Sequence, residues 1–75
     1  MMENKFTELC TWMGEKKTIV YGQVVVNLGE AMHGRYFGYV TSPISSHTFI
    51  CKSSIEAANK VRVVLNELYQ GGHLN

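Results

Sequence analysis

The stretch "SSIEAANKVRVVLNELYQGG", residues 53 to 72, constrains the fold more than any other part of the chain. Ala57, Ala58, Val61, Val64, Leu65 and Leu68 recur at helical spacing and fall on one apolar stripe. Ser53 and Glu56 have the S-x-x-E spacing of a capping box, and Gly71 and Gly72 end the helix. A helix with one apolar side must bury that side, so the preceding residues have to supply an apolar surface for it.

They supply β-strands. "TIVYGQVVVNL", from Thr18 to Leu28, is dense in β-branched residues and predicts one long strand bent at Gly22. Alternation along it puts Val20, Val24, Val26 and Leu28 on one side, with Ile19, Tyr21, Gln23, Val25 and Asn27 on the other. "GEAMHG" follows as a loop and "RYFGYVTS" as a second strand. "SPISS" is a turn in which Pro43 drives Ser42 towards an extended conformation, and "HTFICK" is a third strand. Ahead of the strands, Phe6, Leu9, Cys10 and Met13 repeat at helical spacing. They predict a first helix over residues 4 to 13, with Asn4 as N-cap and Gly14 as its stop. The expected architecture is a single α+β domain over residues 1–75. Its order is α-β-β-β-α, with a three-stranded antiparallel sheet packed against one or two helices.

Composition narrows the function classes. The chain has 75 residues, 45% of them hydrophobic and 17% charged, which is a folding composition rather than a disordered one. A domain this small has a limited core, and pairing with a second copy or a partner would add to it. The formal charge of +1 lacks the basic excess of a dedicated nucleic-acid binder. With Glu3 and Glu8 in the opening residues and no apolar run near 18 residues, the expectation is a soluble cytoplasmic protein with no membrane partner. Cys10 and Cys51 form no CxxC pair and are expected to be reduced and buried.

Two resemblances bear on nucleic acid. "GRYFGYV" is similar to the ribonucleoprotein signature of RNA-recognition motifs at Arg35, Phe37, Gly38 and Val40, with Tyr39 conservative; it departs at Tyr36 and Ser42. That family also needs strands and a helix ahead of this segment, where this chain opens on a helix. The order helix, three strands, helix resembles a double-stranded RNA-binding domain across nearly the whole chain. The resemblance implies phosphate contacts at the start of the last helix, and His33 stands in a loop that carries a histidine in that family. The family's lysine cluster has no counterpart, since Lys52, Lys60 and Arg62 are spread out with Glu56 among them.

No catalytic or metal pattern emerges, and no cofactor is expected. "GEAMHGRY" joins two strands and offers Arg35 and Tyr36 where a phosphate-binding loop needs Lys and Ser or Thr. His47 and Cys51 share a strand side but lie about 13 Å apart at 3.3 Å per residue, too far for a thiolate–imidazole pair. Cys10, Cys51, His33, His47 and His73 contain no ligand pair at short zinc spacing.

The remaining candidate is a surface. If both helices cover one side of the sheet, the other side presents Tyr21, Phe37 and Tyr39, with Arg35 and Lys52. Aromatics with arginine are what protein interfaces favour. The expected function is therefore a small non-enzymatic binding or regulatory protein whose partner is another protein or a second copy of itself. On size alone, a phage or prophage accessory protein fits this description. The alternative is nucleic-acid binding through Arg35, Phe37, Tyr39, Lys52, Lys60 and Arg62.

Overall fold

The computed structural model describes residues 6–71, which form an α+β domain with four strands rather than three. The elements are α1 (Thr7–Thr11), β1 (Lys17–Tyr21), β2 (Val24–Glu30), β3 (Tyr36–Thr41), β4 (Ser46–Cys51) and α2 (Ser54–Gln70). The sheet is an antiparallel meander in the order β1-β2-β3-β4, so β1 and β4 are its edges.

The extra strand comes from Gly22. Its φ of +63° lets the chain reverse there. The expected bend is instead a hairpin, in which Tyr21 pairs with Val24 across the two-residue loop Gly22-Gln23. Gly22 takes the positive φ and Gln23 does not, the pattern of a type II′ turn, whose twist matches the flanking strands. The reversal also changes the parity of the sequence. Ile19 and Tyr21 lie on the same side as Val24, Val26 and Leu28, while Val20 lies with Val25 and Asn27 on the other.

One side of the sheet carries the core. Ile19, Val24, Val26, Leu28, Val40 and Cys51 are buried there against Ala57, Ala58, Val61, Val64, Leu65 and Leu68 of α2. All six residues of the predicted helical stripe are therefore in contact with the core they required. α2 lies over β3 and β4. It comes close because Gly38 has no side chain: a Cβ there would stand 2.5 Å from Val61 Cγ2.

The start of α2 is capped as expected, with Ser53 Oγ accepting the Glu56 N–H at 3.1 Å. The return arm differs from a capping box, since the Glu56 carboxylate accepts from Lys52 N–H at 3.4 Å. Gly71 caps the C-terminal end through its N–H to the carbonyls of Glu67 and Tyr69.

The first helix is shorter than its periodicity predicts. α1 spans five residues and ends where Trp12 turns extended. Phe6, Leu9 and Trp12 are buried, whereas Met13 is 83% exposed and Cys10 is exposed, against the expectation of a buried thiol. Trp12 takes the place that helical spacing assigned to Met13. Its ring meets Tyr36 edge-on at 6.1 Å, and its indole N–H donates to the Glu15 carbonyl at 2.5 Å. Phe6 meets Tyr21 edge-on at 5.2 Å and so fastens α1 to the end of β1. Asn4, Gly72 and His73 lie outside the described residues. Among the described residues, no helix is long and apolar enough to cross a membrane.

Candidate binding face

Strand register sets the composition of the side that α2 leaves uncovered. The pairings β1–β2, β2–β3 and β3–β4 bring its residues into three rows. The first row is Gly29, Phe37 and Ile50. The second is Thr18, Asn27, Tyr39 and Thr48, and the third is Val20, Val25, Thr41 and Ser46. None of these residues carries a charge.

Within this face the apolar groups differ in what they already touch. Phe37 is half-buried because its ring lies over the backbone of Gly29, where an added Cβ would be 2.7 Å from Phe37 Cε2. A ring that covers a cross-strand glycine is structural as well as exposed. Ile50, at 56% exposure, and Val20, at 62%, are more open to solvent than Phe37. Tyr39 stands between the two apolar ends of the face at 37% exposure. The Thr41 and Ser46 hydroxyls beside its phenol hold its pKa below the ordinary tyrosine value. Across the middle row, Thr18 Oγ1 donates to Asn27 Oδ1 at 2.7 Å.

The structure separates the residues that the sequence had grouped. Phe37 and Tyr39 share the open face. Tyr21 does not: it lies on the helix-covered side, packed on Phe6, with its hydroxyl donating to Glu8 Oε1 at 2.9 Å. Burial and the nearby carboxylate raise its pKa. The cause of the misplacement is the parity change at the Gly22-Gln23 turn. Arg35 and Lys52 are both exposed and each lies one residue beyond the Tyr36–Cys51 pair, at the Phe37 end of the sheet. Lys60 and Arg62 belong to α2, in the other layer. Arg62 lines a groove of ≈ 220 Å³ between α1 and α2, with Leu9, Trp12 and Ile55. Lys60 instead acts on the Cys51 thiol, together with Glu56. The six cationic and aromatic residues of the nucleic-acid alternative are thus distributed over three surfaces.

The reactive groups of β4 are turned towards the core side. Cys51 is buried, and burial is the main cause that raises its thiol pKa, with Glu56 adding to it. A raised thiol pKa means little thiolate and low nucleophilicity. His47 stacks on Phe49 with centroids 6.5 Å apart and planes 12° from parallel.

Sequence reasoning missed Ile50 and Val20 as members of the open face. Ile50 was readable in principle, since it lies two positions from Thr48 and so on the same strand side. Val20 was not, because its side depends on whether Gly22 bends the strand or reverses it. Compared with protein-family models, with curated proteins and with solved structures, the chain matches none.

Proposed function

We propose that this chain is a small, non-enzymatic cytoplasmic binding protein that acts by laying the open face of its sheet against another protein. One observation carries the reading: the strand-paired residues of the open face include no charged side chain, and they are centred on Tyr39 and flanked by exposed Ile50 and Val20. Depletion of charge at the centre, enrichment in aromatic residues and arginine, and a polar rim make up the composition of protein interfaces. Arg35 and Lys52 supply such a rim at one end. The face also offers middle-row hydroxyls and amides that satisfy polar groups without the desolvation cost of an ion. A phosphate backbone would need cations along the face, and among the described residues Arg35 and Lys52 stand at its end.

Photo-crosslinking tests the reading. A benzoylphenylalanine at position 39 is expected to give protein adducts in the producing cell, and one at the exposed helix position Asn66 is expected to give none. Introducing Ile50→Glu should remove the adducts at 39 while leaving the fold intact, since Ile50 is exposed. Nuclease-sensitive adducts at position 39 would favour the nucleic-acid alternative, and equal adducts at 39 and 66 would defeat both.

A further inference from the structure

The two edges of the sheet are not alike, and the difference points to a second copy of this chain. Two loop hydrogen bonds fix which backbone groups face outwards. Ala31 N–H donates to the Arg35 carbonyl at 2.7 Å, which makes 31 and 35 a hydrogen-bonded pair in the β2–β3 register. Alternation then turns the N–H and C=O groups of Phe37 and Tyr39 towards β2, and those of Tyr36, Gly38 and Val40 towards β4. Ser42 N–H donates to the Ser45 carbonyl at 2.8 Å and leads independently to the same phase for β4. His47, Phe49 and Cys51 therefore bond to β3. Ser46, Thr48 and Ile50 point their N–H and C=O groups to the free edge.

A free edge of this kind is a pairing template, which proteins ordinarily blunt with Lys, Pro or a bulge. β1 follows that rule. It begins at Lys17 directly after Lys16, and its end is fastened under α1 through Tyr21, Phe6 and Glu8. β4 does not follow it: Ser46–Cys51 contains no charged residue and no proline, and its pairing with β3 runs without a bulge.

We propose that two copies of this chain pair antiparallel through β4, about a two-fold axis beside Thr48, to form one continuous sheet. The register follows from the outward groups. Thr48 meets the partner's Thr48, and Ser46 meets the partner's Ile50, each pair exchanging both backbone bonds. Side chains on the open face stay on the open face, as a continuous sheet requires. On the other side His47 meets the partner's Phe49, extending a stack each copy already makes. The strand is its own complement because it has no charge to repel itself. The flanks of α2 are compatible as well. Glu56 and Lys60 lie on the β4 side, since both act on Cys51, and Glu67 follows Lys60 by two helical turns. Antiparallel copies bring flanks of mixed sign together. Pairing also joins the two open faces edge to edge, but it does not depend on what those faces bind.

The experiment is a charge swap on the axis. Wild-type chain is expected to sediment as a dimer at micromolar to millimolar concentration, with amide exchange at Ser46, Thr48 and Ile50 slowing as concentration rises. His47, Phe49 and Cys51 should be protected at every concentration. Thr48→Lys and Thr48→Glu, each at an exposed position, should fold normally, with dimerisation weakened by up to about fivefold by like charges set directly opposite. Mixing the two variants should restore a dimer containing one of each. A wild-type monomer with fast exchange at the three edge amides overturns the proposal, as does a dimer indifferent to both substitutions. A monomer that still gives position-39 adducts would overturn this inference and leave the face-docking reading standing.

Discussion

Tyr21 shows how one side chain can carry a property that composition hides. It was expected on an open aromatic surface, yet it lies on the core side of β1, edge-on to Phe6 and donating to Glu8. Burial is the first cause of its raised pKa, and the hydrogen bond and charge of Glu8 follow. The sign of the linkage is then fixed. Below the unfolded-state value of about 10 the phenol is protonated in both states and its contribution is constant. As pH rises past about 10 the unfolded state loses the proton while the folded state keeps it, so stability falls through that window. Tyr39 is shifted in the opposite direction by Thr41 and Ser46, and the Tyr21→Phe variant leaves that contribution in place. Urea midpoints measured at about pH 9 and about pH 11 should therefore differ less for Tyr21→Phe than for wild type. An unchanged difference would show that Tyr21 does not sense its burial. The variant should also lose about 1 kcal/mol at neutral pH with its hydrogen bond.

At the scale of elements, legibility followed how local the determining interaction is. α2 was readable because its stripe, its cap and its stop are all written within one stretch, and Ser53 Oγ bonds Glu56 N–H as the spacing implied. Ser53→Ala is accordingly expected to cost about 1 kcal/mol, visible as a lower urea midpoint with an unchanged slope. No change would mean that the Lys52–Glu56 bond alone holds the first turn. β3, β4 and their turn were readable for the same reason, the Ser42 hydroxyl accepting from Ile44 and Ser45 N–H within four residues. The β1–β2 hairpin was not. A glycine between β-branched residues suits both a bend and a two-residue reversal, and only cross-strand pairing of Ile19 with Val26 selects the second. That one ambiguity exchanged the sides of Tyr21 and Val20, which is why Tyr21 is separated from Phe37 and Tyr39. α1 was misjudged in the other direction, since the apolar repeat continues past the residue at which the chain leaves the helix.

At the scale of the whole molecule, the described residues cover the sheet on one side only, and the cover has two parts of unequal security. α2 is long, capped and seated over β3 and β4, whereas α1 is five residues, too short to hold its shape without tertiary contacts. What holds it is aromatic: Phe6 on Tyr21 near one end, and Trp12 on Tyr36 after the helix exits. Trp12 is buried to 4% exposure, and its N–H is satisfied by the Glu15 carbonyl, so the loop into β1 is anchored by the same side chain. Replacing a buried tryptophan by alanine costs about 3–5 kcal/mol. A single core in a chain of this size supplies about that much in total. Trp12→Ala should therefore abolish the cooperative thermal transition rather than shift it, as followed by far-ultraviolet circular dichroism at the lowest practical concentration. Raising the concentration should restore part of the transition if β4 pairing contributes stability by mass action. A cooperative transition only a few degrees below wild type would instead show that the sheet and α2 fold as a unit without α1, and would place the stability of this small domain almost wholly in the layer behind the open face.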